Sequence, residues 1–126
     1  MERTTQNIEG IPPAIGPYSH GVFASGRLFF TSGQLGLTAD GNFAGDDVET
    51  QTRQACTNLR TLLESAGMSF GNVVKTTIFL KDMNDFPVVN KVYAEFVGDD
   101  PPARSTVEVA RLPKDGLVEI EAIAVG

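Results

Sequence analysis

Apolar residues recur at helical spacing over residues 48–66. Within this range they follow one another at steps of one, three or seven residues and form a single stripe. A stripe with this period buries one face of a helix against a core. Asp46 or Asp47 can cap the first turn, and Gly67 stands where a left-handed residue commonly ends a helix. The pattern therefore predicts a helix over 48–66.

A second helix is predicted a little further along the chain. Pro87 stands near its start, where the missing N–H of proline is tolerated, and Gly98 marks its end. Between them, the apolar side chains fall on one helical face: Phe86, Val89, Val92, Tyr93 and Phe96.

Five further segments have the composition of β-strands. Residues 21–25 and 27–35 flank Gly26 and predict a hairpin, whose second arm is rich in Phe, Leu and Thr. The segments 73–80, 103–110 and 117–125 are rich in β-branched residues. The resulting order, β-β-α-β-α-β-β, predicts one α+β domain over 1–126, with both helices on one face of a single sheet.

This arrangement leaves the other face of the sheet uncovered. Its Phe, Ile, Val and Ala side chains would form an apolar patch larger than monomers usually expose. The pattern therefore predicts a homo-oligomer in which sheets pack against each other.

Composition narrows the functions that the chain could have. Its 126 residues include 16 acidic and 10 basic side chains, a net charge of -6, with no basic cluster. This charge repels phosphate backbones, so nucleic acid is not an expected partner. A single cysteine, Cys56, and a single histidine, His20, exclude an intrachain disulfide and a multi-histidine metal site. No apolar stretch suits a membrane span or signal peptide, so the expected location is the cytoplasm.

Arg104 is the first candidate for chemistry. It follows two prolines at the start of a predicted strand and shares a strand face with Thr106 and Glu108. Its planar guanidinium suits a carboxylate or a phosphate, although a surface salt bridge is the commoner role for an arginine in such a position.

Two carboxylates, Glu119 and Glu121, share one face of the last strand, where they could act on a substrate or simply keep the surface polar. Cys56 lies on the apolar stripe of the first helix and is expected to be inert core. His20 and Ser32 lack the neighbouring motifs of a nucleophilic triad.

Beyond these single residues, several long motifs occur in a fixed order. They are IGPYSHG at 15–21, TSGQ at 31–34, VKTTIFLKDM at 74–83, Asn90, PARSTVEV at 102–109, Leu112-Pro113 and EIEAIAV at 119–125. Together they resemble the Rid/YjgF family of reactive imine deaminases over nearly the whole chain from residue 15.

The resemblance implies a fold similar to that of chorismate mutase. It also implies homotrimers in which the sheets line a central β-barrel and the ligand clefts lie between subunits. This agrees with the uncovered sheet face inferred from the pattern.

The resemblance also implies a reaction. Family members of the deaminase branch hydrolyse 2-iminobutanoate and 2-iminopropanoate, reactive products of pyridoxal-phosphate enzymes, to 2-keto acids and ammonia. Arg104 matches the arginine that binds the substrate carboxylate, and Glu119 matches the glutamate associated with the attacking water. Because an imine is already electrophilic, the resemblance implies no cofactor and no metal.

Four further positions match residues that wall or complete the cleft of the family. Tyr18, Ser32 and Asn90 match directly, while Thr106 stands where many members have cysteine.

The positions of Arg104 and Glu119 limit how a single site could form. If the last two strands formed a hairpin near Lys114, Arg104 would face position 124, and Glu119 would lie roughly 16 Å away along the strand. Either the two strands are not hairpin neighbours, or a second subunit closes the site.

Two other functions remain open at this stage. Some members of the family are described as endoribonucleases or translation inhibitors. A non-catalytic protein that binds a carboxylate metabolite would need Arg104 but not Glu119.

Overall fold

The computed structural model describes every residue from Met1 to Gly126. Its two α-helices are α1, Val48–Ser65, and α2, Phe86–Val97. Asp47 caps α1 by accepting a hydrogen bond from the Thr50 N–H, and Gly67 follows with a φ of +73°. Both predicted helices are confirmed.

Seven strands complete the fold. They are β1 Glu2–Gln6, β2 Gly21–Ser25, β3 Leu28–Phe30, β4 Gln34–Leu35, β5 Val73–Leu80, β6 Ala103–Glu108 and β7 Val118–Val125. The main sheet has the order β3-β7-β5-β6, and β4 also pairs with β7. β5 and β6 run parallel with α2 between them in the chain, and every other pairing in this sheet is antiparallel. The chain is thus α+β with a mixed sheet.

The predicted hairpin around Gly26 is wrong. β2 pairs with β1 in a separate two-stranded sheet, whereas β3 pairs with β7. Arg27, between them, exchanges both backbone hydrogen bonds with Gly126. The chain therefore passes from one sheet to the other at this point, and the segment predicted as one long strand forms the two short strands β3 and β4.

The core lies between the sheet and the two helices. Apolar side chains from α1, α2, β5 and β7 form one buried cluster, which includes Leu59, Ile78 and Ile120. Cys56 belongs to this cluster, and burial raises the pKa of its thiol to about 12. The thiol stays protonated at neutral pH, which confirms the prediction of an inert core cysteine.

The two-stranded sheet is fastened to the main body through Arg3. Its Nε donates a hydrogen bond to the Val73 carbonyl at 2.7 Å, and its guanidinium forms an ion pair with Asp100 at 3.1 Å. Thr5 also donates to Asp100, at 2.6 Å. These contacts join β1 both to the start of β5 and to the loop that leads into β6.

The face of the main sheet away from the helices is uncovered in the single chain. Its largest exposed apolar side chains include Phe30, Leu28 and Val107, which are 65%, 54% and 42% exposed. Polar side chains such as Lys75 share the face, so it is mixed rather than uniformly apolar. Neither helix combines the length and the apolar character that crossing a membrane requires.

Candidate functional site

A cleft of about 300 Å³ opens beside the edge strand β6. The strand forms its floor, the first turns of α2 form one wall, and the irregular segment before β2 forms the other. Its lining consists of Ile15, Gly16, Tyr18, Met83, Phe86, Asn90, Arg104 and Thr106.

Arg104 occupies this cleft without a carboxylate partner. It takes part in none of the four ion pairs of the chain. Instead, its Nη1 donates a hydrogen bond of 2.6 Å to Oδ1 of Asn90. The guanidinium therefore keeps its full charge and has N–H groups left to bind an anion.

Three aromatic rings surround the same guanidinium. The centroids of Phe86, Tyr93 and Tyr18 lie 5.2, 5.3 and 5.4 Å from its Cζ atom. Such contacts between a cation and an aromatic ring favour the charged form. Burial lowers the pKa of Arg104 from its ordinary value, and Tyr93 and Tyr18 oppose that shift. Because the ordinary value is so high, the group remains a cation at neutral pH.

The sequence of α2 explains why these groups meet. Phe86, Asn90 and Tyr93 are spaced four and three residues apart, so they share one face of the helix. The buried Tyr93 hydroxyl lies 2.6 Å from Oγ1 of Thr76 on β5, which fixes the ring over the sheet beside Arg104.

The opposite wall is fixed to the start of β6. Ser19 donates hydrogen bonds from its hydroxyl to the Pro101 carbonyl at 2.6 Å and from its N–H to the Pro102 carbonyl at 3.1 Å. Tyr18 is adjacent to this anchor, so its ring is held over Arg104 although the segment is neither helix nor strand.

Glu119 lies outside the cleft. Arg104 is level with Thr76 of β5, which bonds to α2 and so marks the helix face, whereas Glu119 is level with Phe79. Thr76 and Phe79 are three positions apart, so Arg104 and Glu119 project from opposite faces of the sheet. The strands β6 and β7 are not hairpin neighbours, because β5 runs between them.

Ser32 lies near Glu119 in the chain's fold rather than near Arg104. It precedes Gly33, where a Cβ atom would come within 2.7 Å of the Glu119 Cδ. A larger residue at position 33 would require the Glu119 side chain to move. Leu35, two residues after Gly33, is paired with Glu119 in the sheet. Ser32, Gly33 and Glu119 thus form a second group of polar positions.

The structure therefore divides the predicted site residues into two groups. Tyr18, Asn90, Arg104 and Thr106 line the cleft of one chain, and Ser32 and Glu119 lie elsewhere. Sequence reasoning missed the cleft roles of Phe86 and Tyr93, which it assigned to the core face of the second helix. Their spacing around Asn90 was the signal that could have identified them.

His20 is held by the backbone rather than aimed into the cleft. Its Nδ1 accepts a hydrogen bond from the Ile8 N–H at 3.1 Å, and its Nε2 lies 2.9 Å from the Pro12 carbonyl. Both ring nitrogens are thus engaged, with the hydrogen on Nε2 in the neutral ring. No three His, Cys, Asp or Glu side chains lie together in a way that could hold a metal ion.

Comparison with known proteins connects this geometry with named relatives. A family model described as "Endoribonuclease L-PSP" matches residues 9–126. The chain is 48% identical over 120 residues to a 2-iminobutanoate/2-iminopropanoate deaminase of Salmonella typhimurium, covering 93% of each chain. It is 50% identical over 117 residues to a RutC family protein of Pyrococcus horikoshii, covering 92% of each.

A solved structure shares the whole fold. It is a protein of unknown function of the conserved Rid family from Yersinia pestis, and it superimposes with a TM-score of 0.91 at 31% identity, covering 100% of both chains.

Proposed function

Because the chain belongs to the Rid/YjgF family, we propose that it is a 2-iminobutanoate/2-iminopropanoate deaminase. In this reaction, water adds to C2 of a 2-imino acid, and loss of the nitrogen as ammonia leaves a 2-keto acid. The name of the Salmonella typhimurium relative, at 48% identity, supports this assignment.

The observation that carries the proposal is the unpaired cation in the cleft. Arg104 is held by an amide and three aromatic rings and has no acidic partner. A carboxylate can accept two parallel hydrogen bonds from such a guanidinium, which fixes both its position and its orientation. A 2-imino acid bound this way would present the electrophilic C2, which is bonded to the carboxylate carbon, at a defined place in the cleft.

Glu119 is proposed to accept a proton from the attacking water and return it to the departing nitrogen. Since Glu119 and Arg104 project from opposite faces of the sheet of one chain, we propose that they meet across a subunit boundary. Ser32 would enter the site with Glu119. The proposed assembly is a homotrimer whose uncovered sheet faces line a central barrel, with one cleft between each pair of subunits.

The test is a coupled assay with an arginine variant. A threonine/serine dehydratase generates 2-iminobutanoate or 2-iminopropanoate in place, and release of the keto acid is followed against a competing imine trap. The wild type should accelerate release. Arg104→Ala should lower this acceleration about 100-fold, because it removes a charged hydrogen-bond partner of the substrate.

The matched control is Arg111→Ala. The Arg111 side chain is 75% exposed and pairs only with Asp115, four residues away. This variant should retain wild-type acceleration. A folded wild-type protein that gives no acceleration would contradict the proposed activity, and equal loss in both variants would contradict the role of Arg104.

One observation favours a second candidate, a non-catalytic protein that binds a carboxylate metabolite. The cleft that contains Arg104 is formed within one chain, whereas Glu119 is absent from it. Binding could thus occur without the group proposed for proton transfer. An endoribonuclease, as in the description of the family model, has less support, because the net charge is -6 and the ring nitrogens of His20 are both engaged.

A further inference from the structure

The carboxylate of Glu108 has a single hydrogen-bond partner, and that partner belongs to a residue of the cleft. Its Oε1 accepts a 2.9 Å hydrogen bond from the Met83 N–H, and Met83 lines the cleft together with Arg104. Glu108 takes part in none of the four ion pairs of the chain. This exposed carboxylate at the end of β6 is therefore tied to the cleft through the backbone of Met83.

Met83 stands in a short turn that has few other ties to the rest of the chain. The 3₁₀ turn Met83–Asp85 leads directly into α2. The other side-chain hydrogen bond of this region is local, since Asp82 accepts it from the Asn84 N–H at 2.9 Å. Glu108 is thus the one side chain from another element that holds the turn by a hydrogen bond.

The same bond places Met83 at one end of the cleft. Arg104 and Glu108 are four positions apart on β6, so their Cα atoms lie about 13 Å apart. Because Met83 is bonded to Glu108, it closes the end of the cleft away from Arg104. A methionine side chain has three rotatable bonds and adapts its shape easily, so its location depends on a fixed backbone.

We propose that Glu108 is a positioning residue: by fixing the Met83 backbone, it sets the end wall of the cleft against which the side chain of a bound acid packs. The inference rests on the proposed function, because it takes the contact between Arg104 and the ligand carboxylate as given. Glu108 itself touches no ligand. A short acid held at Arg104 leaves Met83 uncontacted, whereas a longer apolar chain packs against it.

The first test follows Met83 without any ligand. Labelling of the methionine methyl carbons gives one NMR signal for each of the three methionines, and Met68, which lies against Gly126, is the internal reference. Glu108→Ala should shift or broaden the Met83 signal and leave the Met68 signal unchanged. Glu108→Gln keeps an oxygen that can accept the same hydrogen bond, so it should restore the wild-type signal. An unchanged Met83 signal in Glu108→Ala would overturn the proposal.

The second test compares two ligands that differ only in chain length. Pyruvate and 2-oxohexanoate share the carboxylate and the carbonyl, and the second has three more methylene groups. Calorimetric titration gives the dissociation constant of each. We expect Glu108→Ala to weaken 2-oxohexanoate binding about threefold to tenfold and to change pyruvate binding less than about twofold, because only the longer chain loses apolar contacts. Equal weakening of both ligands would indicate a general structural role and would contradict the proposal.

The glutamine variant separates the hydrogen bond from the charge. Glu108→Gln should recover most of the 2-oxohexanoate affinity that is lost in Glu108→Ala. If Glu108 acted only through its negative charge, removing that charge would favour both anionic ligands, and both variants would bind them more tightly. That result would contradict the role of the hydrogen bond.

Lys81→Ala is the matched control. The Lys81 Nζ donates a 2.7 Å hydrogen bond to the Ala110 carbonyl, so it joins the same two strand ends without reaching a residue that lines the cleft. This variant should change both dissociation constants less than about twofold. The same selective loss in Lys81→Ala and Glu108→Ala would point to loosening of the strand ends and would overturn the proposal.

The outcomes also distinguish this inference from the proposed function. Wild-type binding of both ligands without a selective loss in Glu108→Ala would contradict the inference and leave the carboxylate contact standing. A wild type that binds neither ligand would contradict the carboxylate contact at Arg104, and the inference would fail with it. A selective loss in a protein that does not hydrolyse imines would contradict the enzyme and leave the role of Glu108 supported.

Discussion

A half-buried guanidinium normally requires a nearby negative charge, and Arg104 has none in its own chain. The sequence allowed a surface salt bridge at this position, and that interpretation is wrong. The aromatic rings and the Asn90 amide hold the charge in place without neutralising it. An anionic ligand would therefore supply the partner that the protein leaves out.

At the same scale, the proposed role of Glu119 in proton transfer can be tested separately from binding of the carboxylate. We expect Glu119→Gln to keep the affinity for 2-oxobutyrate within about twofold and to lower the rate of imine hydrolysis about 100-fold or more, because the amide cannot accept the proton of water. Affinity is measured by calorimetry and the rate by the dehydratase-coupled assay.

Glu121→Gln is the matched control, since Glu121 lies on the same face of the same strand two residues further on. It should leave both quantities unchanged. A Glu119→Gln variant with wild-type turnover would show that Glu119 takes no part in the reaction.

Single residues also show how far the sequence predicts the site. Arg104, Tyr18 and Asn90 belong to motifs of the family, and all three line the cleft. The buried Thr106 hydroxyl makes no hydrogen bond, which could not be predicted, because whether a threonine finds a partner depends on side chains from other elements. For the same reason, the sequence of β7 alone could not show that Glu119 lies on the sheet face opposite to Arg104. That placement depends on the order and register of β5, β6 and β7.

Among the elements, the two helices were predictable because their signals are local. Periodicity, an aspartate cap and a glycine stop all lie within α1 and its flanks. Strand pairing is different, since the choice of partner involves residues far apart in the chain. Gly26 indicated a hairpin between β2 and β3, yet β3 pairs with β7, and β2 pairs with β1. β1 has the sequence ERTTQ, which contains no apolar residue, so no alternation of apolar and polar residues predicted this strand.

The cap of α1 makes stability depend on pH. Oδ2 of Asp47 accepts 2.9 Å hydrogen bonds from the N–H and the hydroxyl of Thr50, and the backbone bond lowers the pKa of Asp47 from its ordinary value. A carboxyl whose pKa is lower in the folded state stabilises the fold above its unfolded pKa, about 3.9. That contribution is lost as the pH falls through the lower, folded pKa.

We therefore expect Asp47→Ala to lower the melting temperature by a few degrees at pH 7, and the difference from wild type to shrink below about pH 4. Calorimetric melting across pH 2.5–7 checks this, with Asp46→Ala as control because that neighbour does not cap the helix. A difference that stays constant down to the lowest pH would show that the carboxylate charge contributes nothing.

At the scale of the whole molecule, the uncovered sheet face is the feature that bears on assembly with other copies of the chain. Phe30, Leu28 and Val107 leave a large part of their apolar surface in contact with water in a single chain. Contact with other copies would remove this surface from water and would also bring Glu119 towards a neighbouring cleft.

We expect sedimentation of the wild type to give the mass of three chains. Phe30→Asp should shift it to the mass of one chain with an unchanged circular dichroism spectrum, because burying a charge within an apolar contact is strongly unfavourable. Imine hydrolysis should fall with the loss of the assembly.

Ala94→Asp is the matched control. Ala94 is exposed on α2, in the layer on the other side of the sheet, so the same added charge should leave the mass unchanged. A wild-type protein that sediments as one chain would contradict the assembly and, with it, the meeting of Arg104 and Glu119.

The position of β7 has a consequence for synthesis of the protein. It is the strand that joins β3, β4 and β5, yet all three precede it in the chain. At roughly 5–20 residues per second, a ribosome completes those strands seconds before residues 118–125 are added. In that interval, the nascent chain contains the segments of both helices and of β3, β4 and β5, but it lacks β7, with which these three strands pair. The native sheet therefore cannot be completed until β7, the last of its strands, has been translated.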